Sequence, residues 1–252
     1  MKGLHLAIDI NFSAVRFVIL KGIEVVEDRL FFFLDRQDYR YKPQLDEIWS
    51  GLGWKESDFD DITLSWSESQ STLVPVNIFN ESDKEAIFQL CFGNLDVTNV
   101  IDYNRLPLQN LVNVYSIPLW VKSFFVIRFP RIVMQHEGTH VVRGVFSGST
   151  YKLKSKLVLH QDHFLLVIVQ DNKLQFSSTF NYTSVEDVVY YFSYTIQQLN
   201  LANTSNELEI IAGAGNQLDV MQLQTTLKEV IKNQLEVIIG ASALEKYQML
   251  CV

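Results

Sequence analysis

The two halves of the sequence carry the same order of predicted elements, and this repetition is the feature that most constrains the fold. Three apolar segments joined by short polar turns occur at residues 4–33, and three more occur at residues 156–180. Such segments predict three consecutive strands in a meander. After each meander the pattern changes to alternating helices and strands, which predicts a mixed sheet covered by helices. We therefore expect a duplicated α/β protein.

The stretch Ser147-Gly148-Ser149-Thr150 is the clearest boundary between the halves, because it is small and polar between two apolar segments. We expect a first domain at residues 1–150, with additional strands between residues 71 and 117. The second domain is expected at residues 151–252. A chain of 252 residues is long for one domain and sufficient for two small ones.

Capping signals predict where several helices begin. Ser82 with Glu85 three residues later has the capping-box pattern, and Ser184 with Asp187 has a similar one. Pro43 suits the first turn of a helix that ends at a glycine.

Composition narrows the classes of function. The formal net charge of −8 argues against a nucleic-acid binder and against docking on anionic lipid. Cys91 and Cys251 lie far apart without His or Cys neighbours at ligand spacing, so no disulfide framework and no zinc site are expected there. The sequence shows neither a signal-peptide pattern nor an apolar stretch of about 20 residues. We expect a cytoplasmic protein with no nucleic-acid partner and no direct membrane insertion.

The most informative single stretch is a strand, a tight turn and a second strand at residues 4–20, with Asp9 beside the turn. In nucleotide-binding enzymes this layout places a carboxylate at the mouth of a phosphate site. A Gly-rich turn, Ala212-Gly213-Ala214-Gly215, follows an apolar strand in the second half and precedes a predicted helix. Gly-rich turns at helix N-termini accept nucleotides in many proteins, although a short Gly-x-Gly is weak evidence by itself.

These features resemble the actin-like ATPase superfamily, which includes actin, the heat-shock ATPases and sugar kinases. The second half resembles the bacterial branch that contains the pilus assembly protein PilM and the division protein FtsA. The chain also resembles the DUF3822 family of uncharacterised Bacteroidetes proteins, which is assigned this fold without a function. The resemblance implies two ribonuclease-H-like halves, each a mixed sheet with helices on its faces, around a nucleotide cleft.

The resemblance also implies roles for particular residues. In working members the first turn reads Asp-x-Gly-Thr/Ser; its Asp holds magnesium and its Gly lets backbone amides approach phosphate. Here Asp9 has the position of the acid, Asn11 replaces the glycine, and Phe12 or Ser13 replaces the hydroxyl residue. Asn tolerates positive φ, so the turn can form, but its side chain occupies space that a phosphate needs. The alternative is that Asp9 only stabilises the turn by accepting from local amides.

The other two signatures of the superfamily are incomplete. The second phosphate motif falls on His160-Gln161-Asp162-His163, where Asp162 supplies an acid but no glycine is present. The adenosine motif falls on the turn that contains Gly213 and Gly215. Its alternative interpretation is a tight strand-to-helix turn that needs no ligand.

Two groups of residues raise a metal hypothesis. His160 and His163 beside Asp162 offer two imidazoles and a carboxylate, a set that binds iron or zinc. His136, Glu137 and His140 have the spacing of the zinc motif His-Glu-x-x-His; these residues are the basis for a metal-dependent hydrolase as a third alternative. We favour polar turn residues for the first group and an ordinary strand-to-helix turn for the second, and expect no metal.

The sequence therefore predicts a catalytically reduced actin-like protein that acts as a cytoplasmic protein-binding or assembly module. Its partner is an unknown protein, and neither catalytic residues nor a resident cofactor are expected. The alternative is a divergent ATPase or kinase that binds ATP and Mg²⁺ in the interdomain cleft. The residues that would bind the nucleotide in that alternative are Asp9, Asn11, Ser13, Asp162, Gly213 and Gly215.

Overall fold

The computed structural model describes residues 3–148, 150–231 and 235–251. Ser149 of the predicted boundary lies outside these residues. The chain forms two compact units, of which one is Met1–His140 together with Leu244–Val252 and the other is Val141–Ala243. The predicted domains, which divide the chain at residue 150, are not the same as these two units, and the predicted boundary stays a prediction.

The first unit contains eight of the described strands and the first three helices. The strands are β1 (Leu4–Ile10), β2 (Ala14–Lys21), β3 (Glu24–Phe32), β4 (Asp61–Trp66), β5 (Ser71–Pro75), β6 (Asn99–Leu106), β7 (Leu111–Pro118) and β8 (Val133–His136). The helices are α1 (Asp38–Leu52), α2 (Lys84–Phe92) and α3 (Leu119–Arg128), and the boundary between the units falls within α4 (Glu137–Phe146).

A five-stranded mixed sheet with the order β3-β2-β1-β4-β8 forms the centre of the first unit. The predicted meander makes its antiparallel part, and β4 and β8 add in parallel. Strand β1 is buried on both faces along nearly all of its length, which explains why its sequence is apolar with little alternation. In this register Asp9 lies between Arg16 of β2 and Ser65 of β4.

The additional strands predicted in the first half form a second, three-stranded antiparallel sheet with the order β5-β7-β6. Helix α2 packs on this sheet through Phe88, which is 1% exposed and shares a small apolar cluster with residues of all three strands. The main core of the unit is aromatic. Tyr41 of α1 stacks on Trp120 of α3 at a ring-centroid distance of 4.2 Å, and Trp66 meets the same Trp120 edge-on.

The second unit repeats the central sheet of the first. Its elements are β9 (Leu153–Leu159), β10 (His163–Gln170), β11 (Lys173–Asn181), α5 (Val185–Gln198), β12 (Asn206–Ala212), α6 (Val220–Val230) and β13 (Leu235–Ile239). The strand order β11-β10-β9-β12-β13 has the same pattern as the order β3-β2-β1-β4-β8, with the same antiparallel and parallel pairings. The predicted duplication of a mixed α/β sheet is therefore confirmed.

Two predictions about helix starts are wrong and one is correct. Helix α1 begins at Asp38, so Pro43 lies inside it rather than in its first turn. Ser82 does not cap α2, because Asn80 accepts from the Ser82 amide and starts a short 3₁₀ turn ahead of the helix. Ser184 does cap α5, and Asp187 completes the capping box.

A last helix, α7 (Ala243–Gln248), follows β13. From Leu244 onward the chain belongs to the first unit, where Gln248 accepts a hydrogen bond from Thr63 of β4 at 2.9 Å. Met249 packs on Ala7, Val18 and Leu20, which are fully buried. None of the helices within the described ranges is both long enough and apolar enough to cross a membrane.

Candidate nucleotide-binding loops

The turn between β1 and β2 is held together by one side chain. The Oδ1 of Asn11 accepts hydrogen bonds from the Ser13 amide at 2.8 Å, the Ser13 hydroxyl at 2.7 Å and the Ala14 amide at 2.9 Å. The backbone N–H of Asn11 donates to the Ala14 carbonyl, and both Asn11 and Ser13 are buried. The φ of Asn11 is not positive, so the turn does not need the left-handed conformation that the sequence suggested. Two backbone amides and one hydroxyl of this turn are thus bonded to Asn11.

Asp9 is completely buried beside this turn and accepts a hydrogen bond from the hydroxyl of Ser67 at 2.9 Å. Ser67 itself is held by its amide, which donates to the carbonyl of Ile10. Asn11 stabilises the turn through its three hydrogen bonds, and the alternative turn-stabilising role of Asp9 stays a prediction. Ser67 was missed because it follows a strand that is distant in sequence.

Arg16 connects the site to the other end of the chain. Its guanidinium donates to Asp28 through Nε at 2.9 Å and pairs with Glu245 of α7 at 3.0 Å. Hydrogen bonding to Asp28 raises the pKa of Arg16, and the charges of Glu245 and Asp9 add to this effect. No sequence signal marks Glu245, because it lies in a short helix at the opposite terminus.

Glu245 is a buried acid with an altered titration. Its side chain is 1% exposed, and burial raises its pKa to about 7, against the lowering effect of Arg16. Asp9 and Asp28 raise the pKa further because they are negative. Its Oε2 has no hydrogen-bond partner among the described residues. This side of the first unit therefore holds three carboxylates around one guanidinium.

In the second unit the turn between β9 and β10 is closed by its own backbone. The His160 amide donates to the His163 carbonyl, and the Tyr182 amide donates to the Asp162 carbonyl, both at 2.9 Å. The Tyr182 hydroxyl donates to the His160 carbonyl. The Asp162 side chain is 83% exposed and accepts from Nδ1 of His163 at 2.8 Å, and this bond lowers the pKa of Asp162.

The Gly-rich turn after β12 is shaped by a histidine. A Cβ added to Gly213 would clash with Cε1 of His160, so the glycine is needed for the close approach of that ring. Gly215 has a φ of 78°, which is the left-handed conformation that glycine adopts readily. Both glycines thus have structural reasons to be present in this turn.

Helix α6 begins five residues after Gly215, and its N-terminus is capped from within the chain. Asp219 accepts from the amides of Met221 and Gln222 at 2.9 and 3.0 Å. These amides are the groups that an anion would contact at a helix N-terminus. The sequence predicted a helix after the Gly-rich turn, and Asp219 is a residue type that favours the N-cap position.

The three residues of the zinc-like motif lie at the junction of β8 and α4. Nε2 of His136 lies 2.9 Å from the Glu68 carbonyl, and its Nδ1 accepts from the Gly138 amide at 3.0 Å. Both ring nitrogens of His136 are therefore used in protein hydrogen bonds. The Sγ of Cys251 lies 4.0 Å from Nδ1 of His140. The metal-dependent hydrolase alternative at His136, Glu137 and His140 stays a prediction.

Comparison with known proteins identifies the fold. A family model described as "Protein of unknown function (DUF3822)" matches residues 2–230. No curated protein sequence matches the chain.

Among solved structures, one similar protein is a Bacteroides thetaiotaomicron protein with actin-like ATPase fold and unknown function. It has a TM-score of 0.77 and 17% identity, covering 98% of this chain and 96% of that chain. The PilM–PilN type IV pilus biogenesis complex matches with a TM-score of 0.64 and 10% identity, covering 98% of both chains. At these identities the likeness concerns the fold alone, and it confirms the predicted actin-like architecture.

Proposed function

The chain belongs to the DUF3822 family of proteins of unknown function, and we propose that it is a protein-binding module whose nucleotide loops no longer hold a nucleotide. The observation that carries this proposal is the amide oxygen of Asn11, which accepts from three donors of the β1–β2 turn. A phosphate binds such a turn through open backbone N–H groups. Here it would have to displace three short hydrogen bonds inside a buried turn.

The Gly-rich turn after β12 and the start of α6 support the same function. Asp219 places a carboxylate on the N-terminal amides of α6, where it would repel an incoming anion. Gly213 leaves room for the ring of His160, so this glycine has a use without adenosine. In the β1–β2 turn and in the Gly-rich turn with its following helix, side chains of the protein itself thus take up the positions that would contact a nucleotide.

The surface that we assign to the partner is a groove of about 680 Å³ between β3 and α1 in the first unit. Strand β3 ends the sheet and pairs only with β2 among the described strands, so its outer backbone groups face away from the sheet. Phe32 is 47% exposed and Leu34 is 96% exposed beside it. Long apolar edge strands are typical sites where another chain adds a strand.

The chemistry of the groove selects the occupant. Its floor is apolar, from Phe31, Ile48 and Leu52, and its rim contains Glu27 and Glu47. Glu27 is bonded to Arg29 at 2.9 Å, whereas Glu47 has no ion-pair partner among the described residues. The groove fits an extended peptide segment of a partner protein, with apolar side chains at alternate positions and one basic side chain near Glu47. The PilM–PilN structure is a precedent for a protein of this fold in complex with a partner.

The loss of nucleotide binding is tested by thermal unfolding with ATP, ADP and Mg²⁺. A ligand that binds the native state raises the melting temperature, by an amount that grows with its concentration. We expect no rise up to millimolar nucleotide. A rise that saturates would favour the ATPase or kinase alternative and would end the proposal that the loops are degenerate.

The partner surface is tested with a displayed library of short random peptides. We expect enrichment of extended peptides that combine alternate apolar residues with Lys or Arg. Glu47→Lys should weaken their binding about tenfold, because it replaces attraction by repulsion. Glu85→Lys on α2 makes the same charge change at another exposed helical position and should leave binding unaltered. If no peptide is enriched, or if both variants behave alike, this groove is not the partner surface.

A further inference from the structure

The β9–β10 turn of the second unit places two imidazoles side by side. The rings of His160 and His163 stack at a centroid distance of 4.8 Å with an interplanar angle of 25°. The side chains are buried, with residue exposures of 1% and 9%. The three-residue spacing did not require the rings to face one another, so their contact is a property of the folded turn and not of the motif.

The tautomer of His163 follows from its neighbour. Asp162 is an acceptor and lies 2.8 Å from Nδ1 of His163, so the proton of the neutral ring is on Nδ1. Nε2 then carries a lone pair. This atom is buried and has no hydrogen-bond partner among the described residues. A buried acceptor without a donor is unfavourable, which points to a ligand that takes the lone pair.

We propose that His160 and His163 bind one divalent ion of a first-row transition metal. Imidazole nitrogens bind Zn²⁺, Cu²⁺ and Ni²⁺, whereas Mg²⁺ and Ca²⁺ prefer oxygen. The carboxylate of Asp162 on the far nitrogen of His163 is the usual partner that orients a metal-binding imidazole. The remaining coordination positions are filled by water or by a bound molecule. This site is independent of the proposed peptide groove.

The geometry needs only a small adjustment to close on an ion. The ligand nitrogens of the two histidines lie within 4.8 Å of one another. An ion bound about 2.1 Å from each nitrogen spans a separation of up to about 4.2 Å, so a modest rotation of one ring suffices. Both residues are held close by the backbone hydrogen bond from His160 to His163, and Gly213 leaves the space in which the His160 ring sits.

The test is isothermal titration calorimetry of the untagged full chain, treated with EDTA, using Zn²⁺ as the probe. We expect one equivalent to bind, and we expect His160→Ala and His163→Ala each to abolish this binding. Asp162→Ala should weaken it about tenfold or more, because the outer partner of a metal-binding imidazole is lost. Asp162→Asn keeps an acceptor oxygen and should restore most of the affinity, which a merely structural role would not predict.

Two controls keep the outcome decisive. Cys91→Ser removes an exposed thiol, which is a competing type of metal ligand, and it should not alter the stoichiometry. Electron paramagnetic resonance of the wild-type chain with one equivalent of Cu²⁺ should show coupling to two nitrogens, and this readout does not depend on whether the histidine variants fold. The proposal is overturned if the wild type binds no Zn²⁺, if it keeps its affinity without either histidine, or if the spectrum shows no nitrogen ligand.

Discussion

Asn11 satisfies three donors with one oxygen, so the β1–β2 turn should depend on this side chain. Asn11→Gly restores the residue that working superfamily members have, but it leaves buried donors unsatisfied. We expect a loss of about 2 kcal/mol in the free energy of unfolding, measured by urea denaturation. Inorganic phosphate should then raise the melting temperature of the variant and leave the wild type unchanged, because the donors are open only in the variant.

Asp96→Gly is the matched control for this change. Asp96 accepts from the amide and the hydroxyl of Thr98 in a similar local arrangement, but the bonds are exposed. The control should lose less than half as much stability and show no response to phosphate. If Asn11→Gly is destabilised but phosphate has no effect on it, Asn11 is structural and the turn is not a vestigial anion site.

Glu245 should make the free energy of unfolding depend on pH, and a single substitution can separate its contribution from that of other groups. Its folded-state pKa of about 7 is above the ordinary value of 4.5, so the folded protein binds this proton more tightly than the unfolded chain. The stabilising effect of the protonated acid is complete below pH 4.5 and is lost as the pH rises towards 7. The shift corresponds to about 3 kcal/mol as an order of magnitude. The groups that face it are Arg16, Asp9 and Asp28.

Glu245→Gln should remove this dependence. We expect the variant to gain stability relative to the wild type between pH 5 and pH 8, measured by denaturant titration at each pH. Glu186→Gln, at an exposed position of α5, is the control and should keep the wild-type profile. Parallel profiles for the wild type and Glu245→Gln would show that Glu245 titrates normally.

At the scale of elements, the two serine capping patterns behave differently. Ser184 accepts from the Asp187 amide at 3.3 Å, and Asp187 accepts in return from the Ser184 amide. The Ser82 hydroxyl instead donates to the side chain of its neighbour Asp83. Ser184→Ala should therefore cost about 1 kcal/mol of unfolding free energy, and Ser82→Ala less than about 0.5 kcal/mol. Equal losses in thermal or urea unfolding would contradict this assignment of the caps.

The same comparison indicates what local sequence can predict. The meanders and their order could be predicted, because a strand that is buried on one or both faces shows a pattern of apolar residues along its length. The start of α2 was predicted wrongly, because Asn80 stands two residues before Ser82 and offers an equally good acceptor. Asn11 was readable as an obstacle to phosphate, but its three hydrogen bonds depend on a turn geometry that residue types alone do not determine.

Contacts between distant segments were beyond sequence analysis. The hydrogen bond from Ser67 to Asp9 and the ion pair between Arg16 and Glu245 each join residues far apart in the chain, and no repeating sequence pattern links them. The contact between the His160 and His163 rings is different, because the residues are near neighbours. It depends on Gly213, which lies in the turn after β12 and leaves space for the His160 ring. The glycine was visible in the sequence, but its partner was not.

At the scale of the whole molecule, the residues from 243 onward should stabilise the first unit. A chain that ends at residue 242 loses Glu245, Gln248 and Met249 and uncovers the apolar patch that Met249 contacts. We expect a loss of about 3 kcal/mol or more, and faster hydrogen exchange in β1 and β2. A chain that ends at residue 249 keeps these contacts and should stay near the wild type. If both truncations unfold alike, α7 is not the stabilising element.

The hydrogen bond between Thr63 and Gln248 joins residues separated by 185 positions in the chain. During synthesis, β1 to β4 therefore leave the ribosome long before the segment that completes their contacts. Until then, Arg16 has no Glu245 and Ala7 and Val18 have no Met249. Contacts of such sequence separation slow folding and prolong the time in which apolar surface is open to other chains. The nascent protein should depend on chaperones over this interval, and its first half should become fully native only after the segment that contains Glu245, Gln248 and Met249 has emerged.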